Sequence, residues 1–267
     1  MALHFLLWRR KSIWLLTGAA IAIVFTGHSL IDWQLNSTLA VGWITVALVG
    51  FVYGMDSLTD FEHPLKALVS TAGLKLLPLL ISGLLVAYWR GHATVVSAIA
   101  ILILGFSYSY PINTATGIFR LKSLTGIKSA WIGVGWALLV YLGAGSFEID
   151  YAHWAAAFVS LQVMAGSVLR DLDDLEEDRI SGTRTLPLVL GENATYAFLH
   201  ALNLSSGLML FFMPLPWALW WLLVLVWRAA NLEWLRLGNP GHYATQYMNL
   251  ATCGVIFLIR MVFYVLD

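Results

Sequence analysis

Six carboxylates crowd into eight residues at Asp171-Leu-Asp-Asp-Leu-Glu-Glu-Asp178, and Arg179-Ile-Ser-Gly182-Thr-Arg-Thr185-Leu186-Pro187 follows directly. If the segment continues a helix, at about 100° per residue Asp171, Asp174 and Asp178 fall within an arc of roughly 60°, while Asp173, Glu176 and Glu177 point elsewhere. Three carboxylates on one face suit a hard divalent cation such as Mg²⁺, which takes oxygen ligands and is commonly held by one or two carboxylates together with substrate phosphates. Gly182 then lets the chain turn, and Pro187 is expected to delay the next helix. A second acidic cluster stands in Tyr53-Gly-Met-Asp56-Ser-Leu-Thr-Asp60-Phe-Glu62-His-Pro64, where Asp56 and Asp60, four apart, share a helical face. The ordinary alternative for each cluster is a solvated acidic loop.

The elements that must position these groups are membrane helices. With 60% hydrophobic and 11% charged residues and a mean hydropathy of +0.78, the chain is too apolar for a water-soluble domain. Apolar stretches near the roughly 20 residues needed to cross a bilayer recur along it. They predict nine helices over about 13–31, 38–55, 69–89, 93–110, 127–145, 151–170, 194–213, 216–232 and 246–266. The expectation is an all-α integral membrane protein forming one domain over 1–267. Arg9, Arg10 and Lys11 precede the first run without a small-residue cleavage pattern after it, so it is read as a retained helix rather than a signal peptide. Lone Cys253 falls within a predicted span and can form no intramolecular disulfide.

Basic residues near helix ends accumulate on the cytoplasmic side. The nine-helix arrangement puts Arg9, Arg10, Lys11, Lys66, Arg120, Lys122, Lys128, Arg170, Arg179, Arg184, Arg228 and Arg236 on one face, with Arg90 alone on the other and Lys75 and Arg260 inside spans. The amino terminus is therefore expected in the cytoplasm and the carboxyl terminus on the opposite side. Four crossings separate the acidic clusters, so both should open to the cytoplasm. Trp33, Trp43, Trp89, Trp217, Trp220 and Trp221 fall near predicted helix ends, where indoles sit well between lipid and water. Gly133 with Gly135 suits close helix packing, and Gly143 with Gly145 suits either close packing or a loosened end of the fifth span.

Two acidic faces repel one another unless something bridges them. A diphosphate chelated by Mg²⁺ would do so, with Lys or Arg gripping the remaining oxygens. The loop between the fourth and fifth spans supplies Arg120, Lys122 and Lys128, which equally suit topology-setting charges. Other chemistry is not visible. The seven histidines show no metal-ligand spacing, and no nucleophile-elbow, Walker or basic-aromatic nucleic-acid pattern is present.

At this point the residues resemble those of the UbiA superfamily of intramembrane prenyltransferases. That family's second motif, D-x-x-D-x-x-x-D followed by G-x-x-T-L-P, is matched at Asp171, Asp174, Asp178, Gly182, Thr185, Leu186 and Pro187, and Tyr108-Ser-Tyr-Pro111 with the basic loop after it is similar to the family's Y-S-x-P segment. The first motif departs from N-D-x-x-D-x-x-x-D: Asp56 stands where Asn is expected, Ser57 where Asp is, Asp60 matches, and Pro64 replaces the last acid. Glu62 could stand in only if the helix ended early, and the departure bears on how many metal ions the first motif holds.

The resemblance implies a nine-helix bundle with a central cavity. It also implies that Mg²⁺ at Asp56, Asp60, Asp171, Asp174 and Asp178 holds an isoprenyl diphosphate, with Lys66, Tyr108, Arg120, Lys122, Lys128 and Arg179 as substrate-binding residues. The implied reaction is prenyl transfer to an aromatic or other lipophilic acceptor in the bilayer, with no nucleic-acid partner. A carbocation formed there needs a dry pocket and aromatic faces, for which Tyr53, Phe106, Tyr108 and Tyr110 are candidates. Two other readings stand beside it: a cyclase that ionises the same diphosphate without an acceptor, and a non-catalytic carrier or assembly protein on the same scaffold.

Overall fold

Long apolar stretches with few breakers become helices because a backbone in hydrocarbon must satisfy its own hydrogen bonds. A computed structural model describes residues 17–26, 35–59, 64–114, 117–121, 124–181 and 184–238. Residues 17–24 are helical (α1), followed by α2 (Leu35–Thr59), α3 (Pro64–Val69), α4 (Thr71–Arg90) and α5 (His92–Ser109). Next come α6 (Ile127–Ala144), α7 (Asp150–Asp173), α8 (Leu175–Ser181), α9 (Leu186–Leu190), α10 (Glu192–Leu208) with a 3₁₀ turn over Met209–Phe212, and α11 (Leu215–Leu237). Seven expected spans, from the second to the eighth, thus coincide with helices. The first is described only in part, and the ninth, with Cys253 and Arg260, lies outside the described residues. Among the described residues five helices are long and apolar enough to cross a membrane. The exposed Leu74, Ile81, Leu85 and Trp89 line one stripe of α4, a surface that water would penalise and lipid accepts. The chain is a multi-pass membrane protein.

One departure from the all-α expectation is a two-stranded antiparallel hairpin, β1 (Ile112–Thr114) with β2 (Gly117–Phe119), in register Ile112 to Phe119. Pro111 ends α5 and the hairpin returns the chain to its base, so Arg120 flanks Pro111 rather than drifting in a loop.

The chain divides into two compact units, the boundary falling within α6: its first part, to Ala137, belongs to the second unit and its last part, from Leu138, to the first. In the first, α4 runs antiparallel to α2: Gly54 lies against Leu76 and Gly83 against Ala47, and the Arg90 guanidinium donates to the Ser37 carbonyl at 2.9 Å. α5 returns alongside α2 in the same direction, with Gly105 against Val52 and Phe51 edge-on to Phe106 at 5.9 Å. Phe51, Met55 and Ala67 form the buried core of this end. Arg90 also donates to the Gly143 carbonyl at 3.3 Å, in the last turn of α6, where cations are favoured.

In the second unit, α6 packs antiparallel on α7, α7 on α10, and α10 on α11. The core joins Val168 and Leu169 of α7, Leu199 of α10, and Leu232 and Leu235 of α11. A Cβ on Gly133 would stand 2.5 Å from the Ser160 carbonyl oxygen, whereas Gly135 faces open space. In the part of α6 that belongs to the first unit, Gly143 also packs tightly, a Cβ there falling 2.2 Å from the Ala22 carbonyl oxygen, and Gly145, at φ +68°, ends α6. Close packing, expected of the first pair, is found at Gly133 and not at Gly135, and the second pair divides between the two alternatives, Gly143 packing and Gly145 ending the helix. Trp221 is not an interfacial anchor: it is buried, its ring 4.7 Å from Phe158, while Trp89 is exposed at the end of α4.

Gly133→Ala should lower the melting temperature of the detergent-purified protein by several degrees, since overpacking costs about 1–3 kcal/mol. Gly135→Ala should hold or slightly raise it, and thermal unfolding followed by Trp fluorescence separates the two.

Candidate functional site

The acidic segment occupies the end of α7 and all of α8. It is not the uninterrupted helix expected from the spacing. α7 stops at Asp173, and Asp174 caps it at φ −94°, ψ 10°, in the sparsely used bridge region where many active-site residues sit. The helical phase survives because the Asp174 N–H donates to the Arg170 carbonyl at 3.1 Å and the Asp178 N–H to the Asp174 carbonyl at 2.9 Å. Asp171, Asp174 and Asp178 therefore remain on one side despite the break. Gly182 lies outside the described residues. Pro187 does not delay the next helix: it sits in the first turn of α9 behind Thr185 as N-cap, where a missing N–H costs nothing.

The three carboxylates have different surroundings. Asp171 is 4% exposed, and its Oδ1 accepts a hydrogen bond from Lys128 Nζ at 2.8 Å. Lys128 comes from the first turn of α6, carried to the end of α7 by the antiparallel packing at Gly133. The Ser167 hydroxyl donates to Ser129 Oγ at 3.1 Å one turn deeper and fixes that register. Asp174 is met by Arg170 Nε at 3.5 Å, a looser and more exposed pair that screening leaves weak. Burial pushes the Asp178 carboxyl above the ordinary range, against the pull of Lys128 and the nearby Thr185 hydroxyl, while Asp174 and Glu177 add to the rise. Carboxylates that raise one another's proton affinity are stabilised by a cation among them.

Mg²⁺ fits this donor set. The ligands are hard, anionic oxygens at a polar helix end, and Mg²⁺ completes its shell with water and substrate phosphate. Among the described residues no three His, Cys, Asp or Glu side chains close a metal cage by themselves.

The remaining candidates distribute as follows. In the first unit, Asp56 stands in the last turn of α2, half-buried. Asp60, Glu62 and Lys122 lie outside the described residues. Because α2 and α5 run the same way and α4 against them, Asp56, Lys66, Lys75, Tyr108 and Arg120 gather at one end of this unit. Arg90 is held at the other, about 29 Å along α2 at 1.5 Å per residue. Lys66 and Lys75 are exposed, and Tyr108 and Arg120 half-buried. Arg179, in the second unit, is turned to solvent and engaged by Glu176 at 3.0 Å.

Sequence reasoning missed a buried polar cluster in the second unit. Arg228 was expected among the charges at a cytoplasmic helix end. It is instead 5% exposed within α11, donating to Gln162 Oε1 at 3.3 Å. Gln162 Nε2 donates to Asn203 Oδ1 at 2.8 Å and Ser206 Oγ at 2.7 Å, and Asn203 Nδ2 to the Leu225 carbonyl at 3.1 Å. Four polar side chains on three apolar helices were the available signal. Gln162 is nine residues before Asp171, about 14 Å deeper along α7, so this cluster ties α7, α10 and α11 together below the carboxylates.

The fold and this end of α7 define a multi-pass helical membrane protein that carries a carboxylate-rich helix end, with Lys128 on Asp171 and Arg170 near Asp174. No protein-family model matches the chain. A solved UbiA homologue from Archaeoglobus fulgidus, bound to GPP and Mg²⁺, superposes with a TM-score of 0.69 over 97% of this chain and 98% of its own, at 13% identity. The apo UbiA homologue from Aeropyrum pernix gives 0.68 over 94% and 96%, at 16% identity. Among curated proteins, digeranylgeranylglyceryl phosphate synthase from Halobacterium salinarum is 32% identical over 106 residues, 35% of this chain and 37% of that protein. The enzyme of the same name from Natronomonas pharaonis is 30% identical over 118 residues, 39% and 40%. The matched stretch thus spans about two fifths of these relatives' length. The chain has the fold of these UbiA homologues.

Gln162→Leu should destabilise the protein by about 1–3 kcal/mol, because it removes the side-chain partner of Arg228 Nε and of Asn203 Oδ1 in an apolar interior. Thermal unfolding in detergent should show this as a clear loss, and an unchanged melting temperature would deny the cluster its structural role.

Proposed function

We propose that this chain is an intramembrane prenyltransferase, moving a prenyl group from an isoprenyl diphosphate to a lipophilic acceptor, aromatic or otherwise, in the bilayer. The observation that carries the reading is Asp171, buried at a helix end with Lys128 on it and Asp174 and Asp178 following in phase. An ionisable cluster at such a place is a functional site by default. Support also comes from the UbiA homologues solved with GPP and Mg²⁺ and with DMAPP and Mg²⁺ and from the partial relatives named as synthases.

In this reading the chain is one transmembrane domain of nine helices, with its amino terminus and both Asp-rich motifs cytoplasmic and its carboxyl terminus opposite. Asp171, Asp174 and Asp178 would hold Mg²⁺, Asp56 and Asp60 are the candidate ligands of the first motif, and the ion would supply positive charge for the departing diphosphate. Lys128, Arg120, Lys122, Lys66 and Arg179 bind and orient the diphosphate oxygens. The allylic carbon–oxygen bond breaks, and the diphosphate leaves with the bonding pair. Tyr53, Phe106, Tyr108 and Tyr110 offer aromatic faces to the carbocation, and the apolar helices keep water from it. The acceptor then attacks the cation and loses a proton.

Asp174→Ala should lower Mg²⁺-dependent diphosphate release by about 100-fold or more, while the protein still elutes as a folded species in detergent. Full turnover by that variant would sink the assignment. Supplying GPP with and without lipophilic acceptors, and weighing the products by mass spectrometry, separates transfer from cyclisation.

A further inference from the structure

We propose that Lys128 is the resident counter-ion of Asp171, and that this carboxylate takes a divalent cation only when a diphosphate receives the Lys128 ammonium in exchange. The inference rests on the prenyltransferase reading and adds a regulation of the same site: metal and diphosphate are admitted together, and metal alone is resisted.

The argument begins with burial. The Asp171 side chain is 6% exposed and Lys128 Nζ sits 2.8 Å from its Oδ1, so the carboxylate has little solvent of its own to replace the ammonium when it leaves. A buried carboxylate stripped of its partner is strongly destabilising. A divalent cation about 2.1 Å from that oxygen would stand within a few ångströms of the ammonium, and the two positive charges would repel. One must go.

Backbone motion is not the route, because α6 is locked on α7 by the close approach at Gly133 and the Ser167–Ser129 hydrogen bond. The flexible four-carbon stem of Lys128 can swing, and its first new acceptor would be an anion bound at the same helix end. The neighbouring cations are engaged differently. Arg170 meets Asp174 at 3.5 Å on a more exposed surface, and Arg179 is held by Glu176. The departure of Lys128 uncovers the Asp171 Oδ1. Such coupling is reciprocal: whatever diphosphate does for metal affinity, metal does for diphosphate affinity.

The test is metal binding, not turnover. The full-length protein in detergent is titrated with Mn²⁺ in the absence of any diphosphate, and free Mn²⁺ is read by electron paramagnetic resonance. Lys128→Met should tighten Mn²⁺ binding by about 5-fold or more, the low end of typical coupling. Arg179→Met, which removes a nearby exposed charge, should change it less than about twofold. Lys128→Arg, which can still grip Asp171, should bind Mn²⁺ no more tightly than the parent and carries the test should the Met variant fail to fold. Unchanged or weaker binding in Lys128→Met, an equal gain in Arg179→Met, or tighter binding in Lys128→Arg overturns the exchange while leaving the metal site standing. Mn²⁺ binding by none of the four proteins, the parent included, overturns both.

Discussion

A carboxylate at the end of a membrane helix can stay ionised only if a cation meets it, and the contact between Asp171 and Lys128 is the constraint around which the second unit is arranged. Lys128 reaches Asp171 because α6 begins where α7 ends. That coincidence depends on two helices lying close enough for Gly133 to touch the Ser160 carbonyl. Any side chain at Gly133 would push the helices apart, and a displacement of an ångström or two would turn a 2.8 Å ion pair into an uncompensated buried charge. Small residues in the membrane and chemistry at its surface are thus one design, since lipid offers no hydrophobic drive to bring helices together and close van der Waals contact has to serve instead.

The two units manage polar groups in different ways. The first keeps Arg90 at the end of α2 opposite Asp56, where the guanidinium satisfies a carbonyl at the start of α2 and another in the last turn of α6. The second buries Arg228 within the helices and surrounds it with Gln162, whose amide also bonds Asn203 and Ser206. A guanidinium in an apolar interior is tolerated when its neighbours are acceptors and every group in the network has a role. The result is a polar tie about 14 Å below the carboxylates. It holds α7, whose far end must keep three aspartates in phase through a break.

That break shows what spacing can and cannot say. The interval of three and then four residues placed Asp171, Asp174 and Asp178 on one face, and they are on one face, but the continuous helix assumed in deriving it is absent. Asp174 leaves helical geometry, and two i to i−4 hydrogen bonds carry the phase across it. Spans of apolar residues were legible because crossing hydrocarbon imposes length and hydropathy on sequence alone. Arg228 was misplaced for the same reason: a charge near the end of an apolar run reads as a boundary unless the partners from other helices are known. The hairpin over 112–119 escaped because three-residue strands carry no periodicity long enough to detect.

The sequence by itself determined the solvent, the spans and the identity of the acidic groups, since these depend on composition and on intervals shorter than two helical turns. Only the tertiary structure decided which cation answers Asp171, that Gly133 packs and Gly135 does not, and that Arg228 is interior. Each of those depends on a contact between residues some 27 to 66 positions apart. No local interval encodes such pairings; they follow from which helix faces fit against one another once lipid has taken the rest.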